Sequence, residues 1–357
     1  MKLLNITVEN FRNIEFLELS ADNDMNVICG ENAQGKTNLL EAIWLFCGAK
    51  SFRGNKEKEF IKKGEEKANI RITFEAASVK REAEIVFGDK KVAFLNGKAL
   101  SSPAKLAGNF YAVVFSPDDL SLVKDSPAVR RRFADIAIGQ LYPSYIEILK
   151  SYQRAVMQRN KVIKGLKFDP TLSVMLDVFE DEIANSGEKI VLYRKKYIET
   201  LKLYFPDIYF GISSGKEKTD IIYDINCEKN LRENLRNSRK EDSVRGITSV
   251  GPHRDDIRFE INGADARTFG SQGQQRSIAL SLKFAQAQVT KEITGEYPVC
   301  LLDDVMSELD VSRQSYILNH IKGWQSFITC CDPSNTENLN KGKIIRIKNG
   351  GIDLSVC

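Results

Sequence analysis

Apolar and polar residues alternate in short runs over the first third of the chain, switch to a helical period in the middle, and return to alternation near the C-terminus. Met1 to Val8 alternates and turns acidic at Glu9, which predicts a first strand and not the long apolar core of a signal peptide. Met25–Cys29 is a continuous apolar run of strand length, and a good helix former follows it from Asn38 towards Gly48. Ile70–Phe74 alternates. Ala83–Phe87 and Val92–Leu95 flank a Gly88-Asp89 turn, and Asn96-Gly97 signals another. From about 126 to 205 the spacing is helical. Tyr145, Ile148, Leu149, Tyr152 and Val156 share one face, as do Leu172, Leu176, Phe179 and Ile183, then Ile190, Tyr197, Leu201 and Phe205. Pro170 and Pro206 are expected to punctuate these helices. The polar stretch 228–245 reads as exposed. Ile257–Ile261 alternates into an Asn262-Gly263 turn, a helix is expected over 274–290, a strand over Val299–Leu302, a helix over roughly 311–322, and a last apolar run over Phe327–Thr329.

Bulk properties narrow the class. A chain of 357 residues can bury a large core and is long enough for two lobes. With 42% hydrophobic and 28% charged residues and no apolar run of spanning length, it reads as a soluble globular protein. Seven cysteines, an odd number with no C-x-x-C pair, are expected to be reduced cytosolic thiols, and adjacent Cys330-Cys331 suits neither a zinc site nor an ordinary disulfide. The net charge of +4 is mild, but Arg130, Arg131 and Arg132, with Lys195 and Lys196, concentrate cations in the helical middle. A single basic run is ordinarily a solvated helix face; together these runs make modest candidates for a phosphate backbone.

Candidate chemistry sits at both ends. Gly30-Glu31-Asn32-Ala33-Gln34-Gly35-Lys36-Thr37 fits G-x-x-x-x-G-K-[ST] between a strand and a helix, the context a phosphate-binding loop requires. The glycines let the backbone turn so that several N–H groups converge at the positive end of a helix dipole. Lys36 is expected to reach the β- and γ-phosphates of a nucleoside triphosphate, and Thr37 to ligate Mg²⁺. The apolar strand before Asp303-Asp304 has the Walker B form, with Asp303 expected on Mg²⁺ and Asp304 on the attacking water. Ser271-Gln272-Gly273-Gln274 stands ahead of a helix that Ser271 can cap. One ATPase domain split by a helical insertion is the simplest organisation.

In combination these motifs resemble the signature motif of ABC ATPases (Ser271 to Gln274) and their D-loop (Ser307 and Asp310). With Asn10-Phe11-Arg12-Asn13, Phe115–Leu120, Ser126–Phe133 and Gly251–Asp256 the whole chain is similar to the bacterial RecF family. The resemblance implies an α/β fold: an ABC-type P-loop head, a mixed sheet plus a RecA-like core, discontinuous over 1–115 and 246–357 and split by a mainly helical insertion at 116–245. It implies ATP and Mg²⁺ as ligands, with Arg12 joining Gly30–Thr37 around ATP. It also implies an ATP-dependent homodimer in which the signature acts in trans, gapped or junction DNA as partner, RecR and RecO as companions, and RecA downstream. A cytoplasmic setting follows, without a membrane. Two departures from the wider ABC pattern, Cys330 where a switch histidine usually stands and Asp304 in place of Glu, point to slow hydrolysis that acts as a switch. His253 is read as structural or as facing the site or DNA. The alternative class is the motor subunit of an ABC transporter.

Overall fold

The structure, a computed structural model, describes residues 1–48, 50–53, 57–331 and 342–353. In chain order the elements begin with β1 (Lys2–Phe11), β2 (Ile14–Ser20), β3 (Met25–Cys29), α1 (Lys36–Trp44), β4 (Ala68–Ala76), β5 (Val79–Phe87), β6 (Val92–Leu95), β7 (Lys98–Ala99) and β8 (Ala112–Phe115). Then come α2 (Ser121–Lys124), α3 (Pro127–Leu141), α4 (Pro143–Gly165), α5 (Val174–Ile212), β9 (Thr219–Asp224), α6 (Leu231–Asn237), α7 (Arg239–Arg245), β10 (Asp256–Ile261), β11 (Ala264–Asp265) and α8 (Ala266–Phe269). The chain closes with α9 (Gln272–Thr294), β12 (Val299–Leu302), α10 (Val311–His320), β13 (Ser326–Cys330), β14 (Lys343–Lys348) and β15 (Gly351–Ile352). No described helix is long and apolar enough to cross a membrane.

Two compact units result: Met1–Asp119 with Leu282–Cys357, and Leu120–Ser281. The first holds two six-stranded sheets. One has the order β2-β1-β4-β5-β6-β7 and is antiparallel. Its strands bury alternate residues, as Ala68, Ile70, Ile72, Phe74 and Ala76 show in β4. In β1 the alternation slips between Leu3 and Ile6, because the pairing with β4 shifts register between Leu3 and Asn5 and so returns Ile6 to the buried face. The other sheet has the order β15-β14-β3-β13-β12-β8, parallel except for β15. Its central strands are mostly apolar, as expected of strands covered on both faces, with Asn26, Ser326 and Thr329 buried among them; every residue of β12 is apolar and buried.

The second unit is less purely helical than expected. It adds a three-stranded sheet, β11-β10-β9, and extends past the expected boundary at 245 to Ser281. The cause is pairing: β9 runs antiparallel to β10 from Asp224↔Asp256 to Thr219↔Ile261, so residues after 245 complete a sheet begun before it. The polar stretch 228–245 carries α6 and α7. Pro170 does precede α5, but Pro206 lies inside it, and the two expected stripes around Leu176 and Tyr197 form one helix of 39 residues. A proline removes one helical N–H, and tertiary packing through buried Phe205 and Tyr209 outweighs that loss here.

The core of this unit is unusually polar. Arg159 has no exposed surface and donates to Glu180 at 3.1 Å, Asp242 at 2.6 Å, the Thr248 hydroxyl at 3.0 Å and the Leu235 carbonyl at 2.9 Å. Arg194 donates to Asp135 at 2.9 and 3.0 Å and to the Pro252 carbonyl at 2.7 Å. Each buried charge is paired and hydrogen-bonded, the condition on which burial is tolerated.

His253 belongs to this network. Its Nε2 lies 3.0 Å from the Thr248 carbonyl, which only accepts, so Nε2 carries the proton and Nδ1 accepts from the Tyr152 hydroxyl at 2.5 Å. The histidine is structural. Burial lowers its pKa from 6.5 to about 4. The native state therefore binds fewer protons than the unfolded chain, and the stability this group contributes is present above pH 6.5 and is lost as the pH falls towards 4. Between pH 7 and pH 5 that component should cost about 2 kcal/mol. Urea denaturation of wild type and His253→Gln at both values checks it, since the variant should lack this share of the acid sensitivity.

Candidate nucleotide site

The phosphate loop is shaped by two glycines with positive φ. At Gly30 (φ +155) a Cβ would lie 2.4 Å from the Ile347 carbonyl oxygen of β14, and at Gly35 (φ +112) 2.9 Å from Asn13 Oδ1. No other residue fits where the loop leaves β3 or enters α1. Lys36 is almost fully buried, and its ammonium donates to the loop's own carbonyls at Gly30 (2.6 Å) and Glu31 (3.1 Å). The cation thus sits inside the ring of residues expected to surround phosphate.

Opposite the loop, the Thr37 hydroxyl donates to Asp303 Oδ1 at 2.7 Å. Asp303 is 7% exposed, and burial, helped by the neighbouring Asp304 charge, raises its pKa. A buried carboxylate beside a hydroxyl is a pair of hard oxygen donors short of a cation, so the residues fit Mg²⁺. Asp304 occupies the left-handed region (φ +51), which aspartate tolerates better than most residues. Thr329 fixes both acids. Its hydroxyl accepts the Asp304 N–H at 2.8 Å and stands 3.3 Å from Asp303 Oδ1 and 3.2 Å from Asp304 Oδ1.

A cavity of about 360 Å³ opens on the loop, lined by Asn32 to Asn38 together with Asn13, Arg53 and Asp304. Arg53, Asn13, Asn38 and Thr329 were not foreseen. Asn38 donates to Asn13 Oδ1 at 2.8 Å, Arg53 donates to Asn38 Oδ1 at 3.1 Å, and Asn13 donates to the Ala33 carbonyl at 3.0 Å. The motif Asn10–Asn13 signals only Asn13; a lone loop arginine such as Arg53 carries no pattern. Arg12, expected around ATP, is not among the residues that line this cavity; its guanidinium donates to Glu41 at 2.9 and 3.0 Å. Glu41 is fully buried on α1 and also accepts from Ser51 at 2.5 Å. Arg12 therefore anchors the helix that carries Lys36 and Thr37.

The expected trans motif lies in the second unit. Ser271 and Gln272 are exposed at the start of α9. Ser271 Oγ accepts the Gln274 N–H at 3.3 Å, and Gln274 Oε1 accepts the Ser271 N–H at 2.7 Å, a reciprocal capping box. Gly273 falls in the first turn. In the first unit Ser307 donates to the Asp304 carbonyl at 2.8 Å, and Asp310 caps α10 by accepting the Arg313 N–H at 3.0 Å; the Ser312 hydroxyl, and then that N–H, lower its pKa to about 2.

The candidate DNA contacts fare unevenly. Arg130 is buried, with its guanidinium bidentate on Asp256 at 2.8 and 2.9 Å, and half-buried Arg131 donates to the Asp255 carbonyl at 2.6 Å. Both have partners within the fold, because the run Arg130-Arg131-Arg132 lies on α3, which packs against β10. Arg132 and Lys196 are exposed, and Lys195 pairs with Glu228 at 3.2 Å on the surface.

Comparison with known proteins agrees with this geometry. The family model for the RecF/RecN/SMC N terminal domain matches residues 2–352. The DNA replication and repair protein RecF of Clostridium perfringens (strain SM101 / Type A) is 40% identical over 363 residues, covering 99% of both chains. The protein of that name from Clostridium acetobutylicum is 41% identical over 362 residues with the same coverage. A solved structure of the recombination mediator RecF with ATPrS superposes with a TM-score of 0.91 at 37% identity, over 98% of this chain and 97% of that one. An Smc head domain from Pyrococcus furiosus shares the fold, with a TM-score of 0.57 at 16% identity, over 99% of this chain and 96% of that one. These end-to-end relatives take precedence over the transporter-motor alternative.

Charge-assisted contacts such as those Lys36 would make contribute about 1.5–3 kcal/mol. Lys36→Met should therefore lower nucleoside triphosphate affinity roughly ten- to hundredfold without unfolding the chain. Calorimetric titration with magnesium present, alongside a melting curve, checks both halves.

Proposed function

Because the chain belongs to the RecF family, we propose that it is an ATP-switched DNA-binding protein of recombinational repair and replication. The observation that carries the reading is the contact of Thr37 with Asp303 beside the inward-turned Lys36. Lys36 would leave the Gly30 and Glu31 carbonyls for the β- and γ-phosphates of ATP, with Arg53 supplying a second cation at the cavity. Thr37 and Asp303 would hold Mg²⁺, which supplies charge neutralisation at the phosphates. Asp304, steadied by Thr329, would orient the attacking water. An aspartate reaches less far than the usual glutamate and Cys330 is a poor γ-phosphate sensor, so hydrolysis is slow, weakly stimulated by DNA, and works as a release step.

Dimerisation follows from the exposed signature. Ser271, Gln272, Gly273 and Gln274 would cap ATP held by a second copy, with Ser307 and Asp310 of the D-loop at the same junction, so ATP adds contacts that only the dimer makes. Gapped or junction duplex is the DNA partner, RecR and RecO the companions and RecA the downstream protein. The setting is cytoplasmic.

The DNA surface is better sought on α4 than at Arg130. Arg154, Lys161 and Lys164 recur at helical spacing on its exposed face, with Lys150 one turn before them, and the first three have no ion pair among the described residues. A straight cationic stripe suits a phosphate backbone.

Two outcomes are expected. Ser271→Arg should keep ATP binding while abolishing the ATP-dependent dimer, and mixing it with Lys36→Met should partly restore hydrolysis, because one composite site then joins an intact loop to an intact signature. Ultracentrifugation and a phosphate-release assay check this; a Ser271→Arg protein that still dimerises on ATP refutes it. Lys161→Glu with Lys164→Glu should weaken gapped-duplex binding and flatten the plot of log affinity against log salt by about two in slope. An unchanged slope would remove α4 from the interface.

A further inference from the structure

Cys29 is the last residue of β3 and directly precedes Gly30 of the phosphate loop; Cys330 is the last residue of β13. The two are register partners in the parallel pairing of these strands, and their sulfurs lie 3.2 Å apart. Neighbouring strands stand about 4.7–4.9 Å apart, inside the range of about 4.4–6.8 Å that Cα atoms span in a disulfide. The backbone is thus already at bonding distance, and side-chain rotation suffices to close the sulfurs. Cys29 is 2% exposed, whereas Cys330 is half-buried. A third thiol, the exposed Cys331, has its sulfur 3.7 Å from Lys36 Nζ and 3.2 Å from Asn32 Oδ1. The other described cysteines are placed differently. Cys47 and Cys300 are buried, with burial pushing their thiols far up, and Cys227 belongs to the second unit.

We infer that Cys29 and Cys330 form an oxidisable thiol pair, a modification site whose disulfide shuts the phosphate loop to nucleotide. The oxidant is a low-molecular-weight disulfide. The Cys330 thiol gives up its proton and attacks one sulfur of that disulfide, forming a mixed disulfide and releasing one thiol. Cys29 then attacks the Cys330 sulfur, its proton passing to the second departing thiol. Two protein thiols are oxidised to one disulfide, and one small disulfide is reduced to two thiols. The hydrogen bond shared with Cys29 and partial burial keep the Cys330 thiol protonated, so exchange is slow and answers sustained oxidation.

The consequence for the loop is geometric. Gly30, the next residue after Cys29, supplies the carbonyl that holds Lys36 at 2.6 Å. Nucleotide entry requires Lys36 to leave that carbonyl and the backbone to close around phosphate. A covalent tie between the ends of β3 and β13 fixes Gly30 at the moment it must adjust. It also ties the loop to the segment after Thr329, the residue that steadies both acids of the site. The inference rests on the nucleotide reading of this loop.

The test uses the full chain, reduced and then exposed to glutathione disulfide, with free thiols blocked and peptides mapped by mass spectrometry. The wild type should lose two hydrogen masses, yield a peptide cross-linked through Cys29 and Cys330, and bind ATP at least about tenfold more weakly until dithiothreitol is added. Cys29→Ala combined with Cys331→Ala should instead retain a glutathione adduct on Cys330, since no neighbouring thiol remains to resolve it. Cys331→Ala should keep the oxidant response. Glutathione found on Cys331 alone, both thiols still free after prolonged exposure, or a Cys29–Cys330 bond that leaves ATP affinity unchanged would each overturn the inference. Reduced wild type that binds no ATP would instead defeat the nucleotide reading, and the thiol mapping would still decide whether the pair exists.

Discussion

Thr37 and Asp303 are 266 positions apart and meet through one hydrogen bond, and the order of the parallel sheet makes that meeting possible. β13 pairs with β3 on one side and β12 on the other, so the loop after β3 and the acids after β12 emerge at the same end of the sheet. The strand between them contributes Thr329, whose single hydroxyl serves both Asp303 and the backbone of Asp304. Ligand sites in open parallel sheets form beyond the carboxyl ends of the strands, and the reason is visible here: the helices fall away, and backbone N–H groups and buried acids face one space. The arrangement concentrates a cation, two carboxylates and a helix N-terminus at one end of the sheet.

A supporting layer holds that site in place. Glu41, buried on α1, would be an uncompensated charge without Arg12 and Ser51. Breaking such a buried pair costs several kcal/mol, whereas an exposed pair contributes little. The same distinction separates the arginines of the second unit. Arg130, Arg159 and Arg194 are ordered by carboxylates and carbonyls within the fold, while Arg154, Lys161 and Lys164 stay in water on α4. Only the latter can exchange solvent for a phosphate backbone without first abandoning an internal partner.

The thiols at the ends of β3 and β13 place soft, oxidisable atoms at the edge of a site otherwise built from hard oxygen and nitrogen donors. Their proximity to Lys36 is a consequence of strand register: the residue before the loop and the residue where a switch histidine usually stands are neighbours in any sheet of this order. That both are cysteine in this chain turns a generic adjacency into a chemical possibility.

Sequence alone determined the features that depend on local spacing. The loop Gly30–Thr37 is legible because its glycines and lysine must be contiguous, and the strand before Asp303 because a strand covered on both faces is apolar throughout. Ser271 was legible as a cap because capping is a contact three residues long. The strands β2, β9 and β14 escaped notice although β14 alternates, since a short run such as Lys343–Lys348 gains its identity from the strand beside it. Pro206 marked a helix end by its chemistry, and tertiary packing overrode it. Whether a given arginine faces water or carboxylate was undecidable from Arg130-Arg131-Arg132, because Asp255 and Asp256 lie far along the chain. The same holds for Arg12, whose role depends on a glutamate that burial leaves in need of a cation, and for Arg53, Thr329 and the Cys29–Cys330 pair. All are products of contacts between distant segments, and only the folded chain brings those segments within reach.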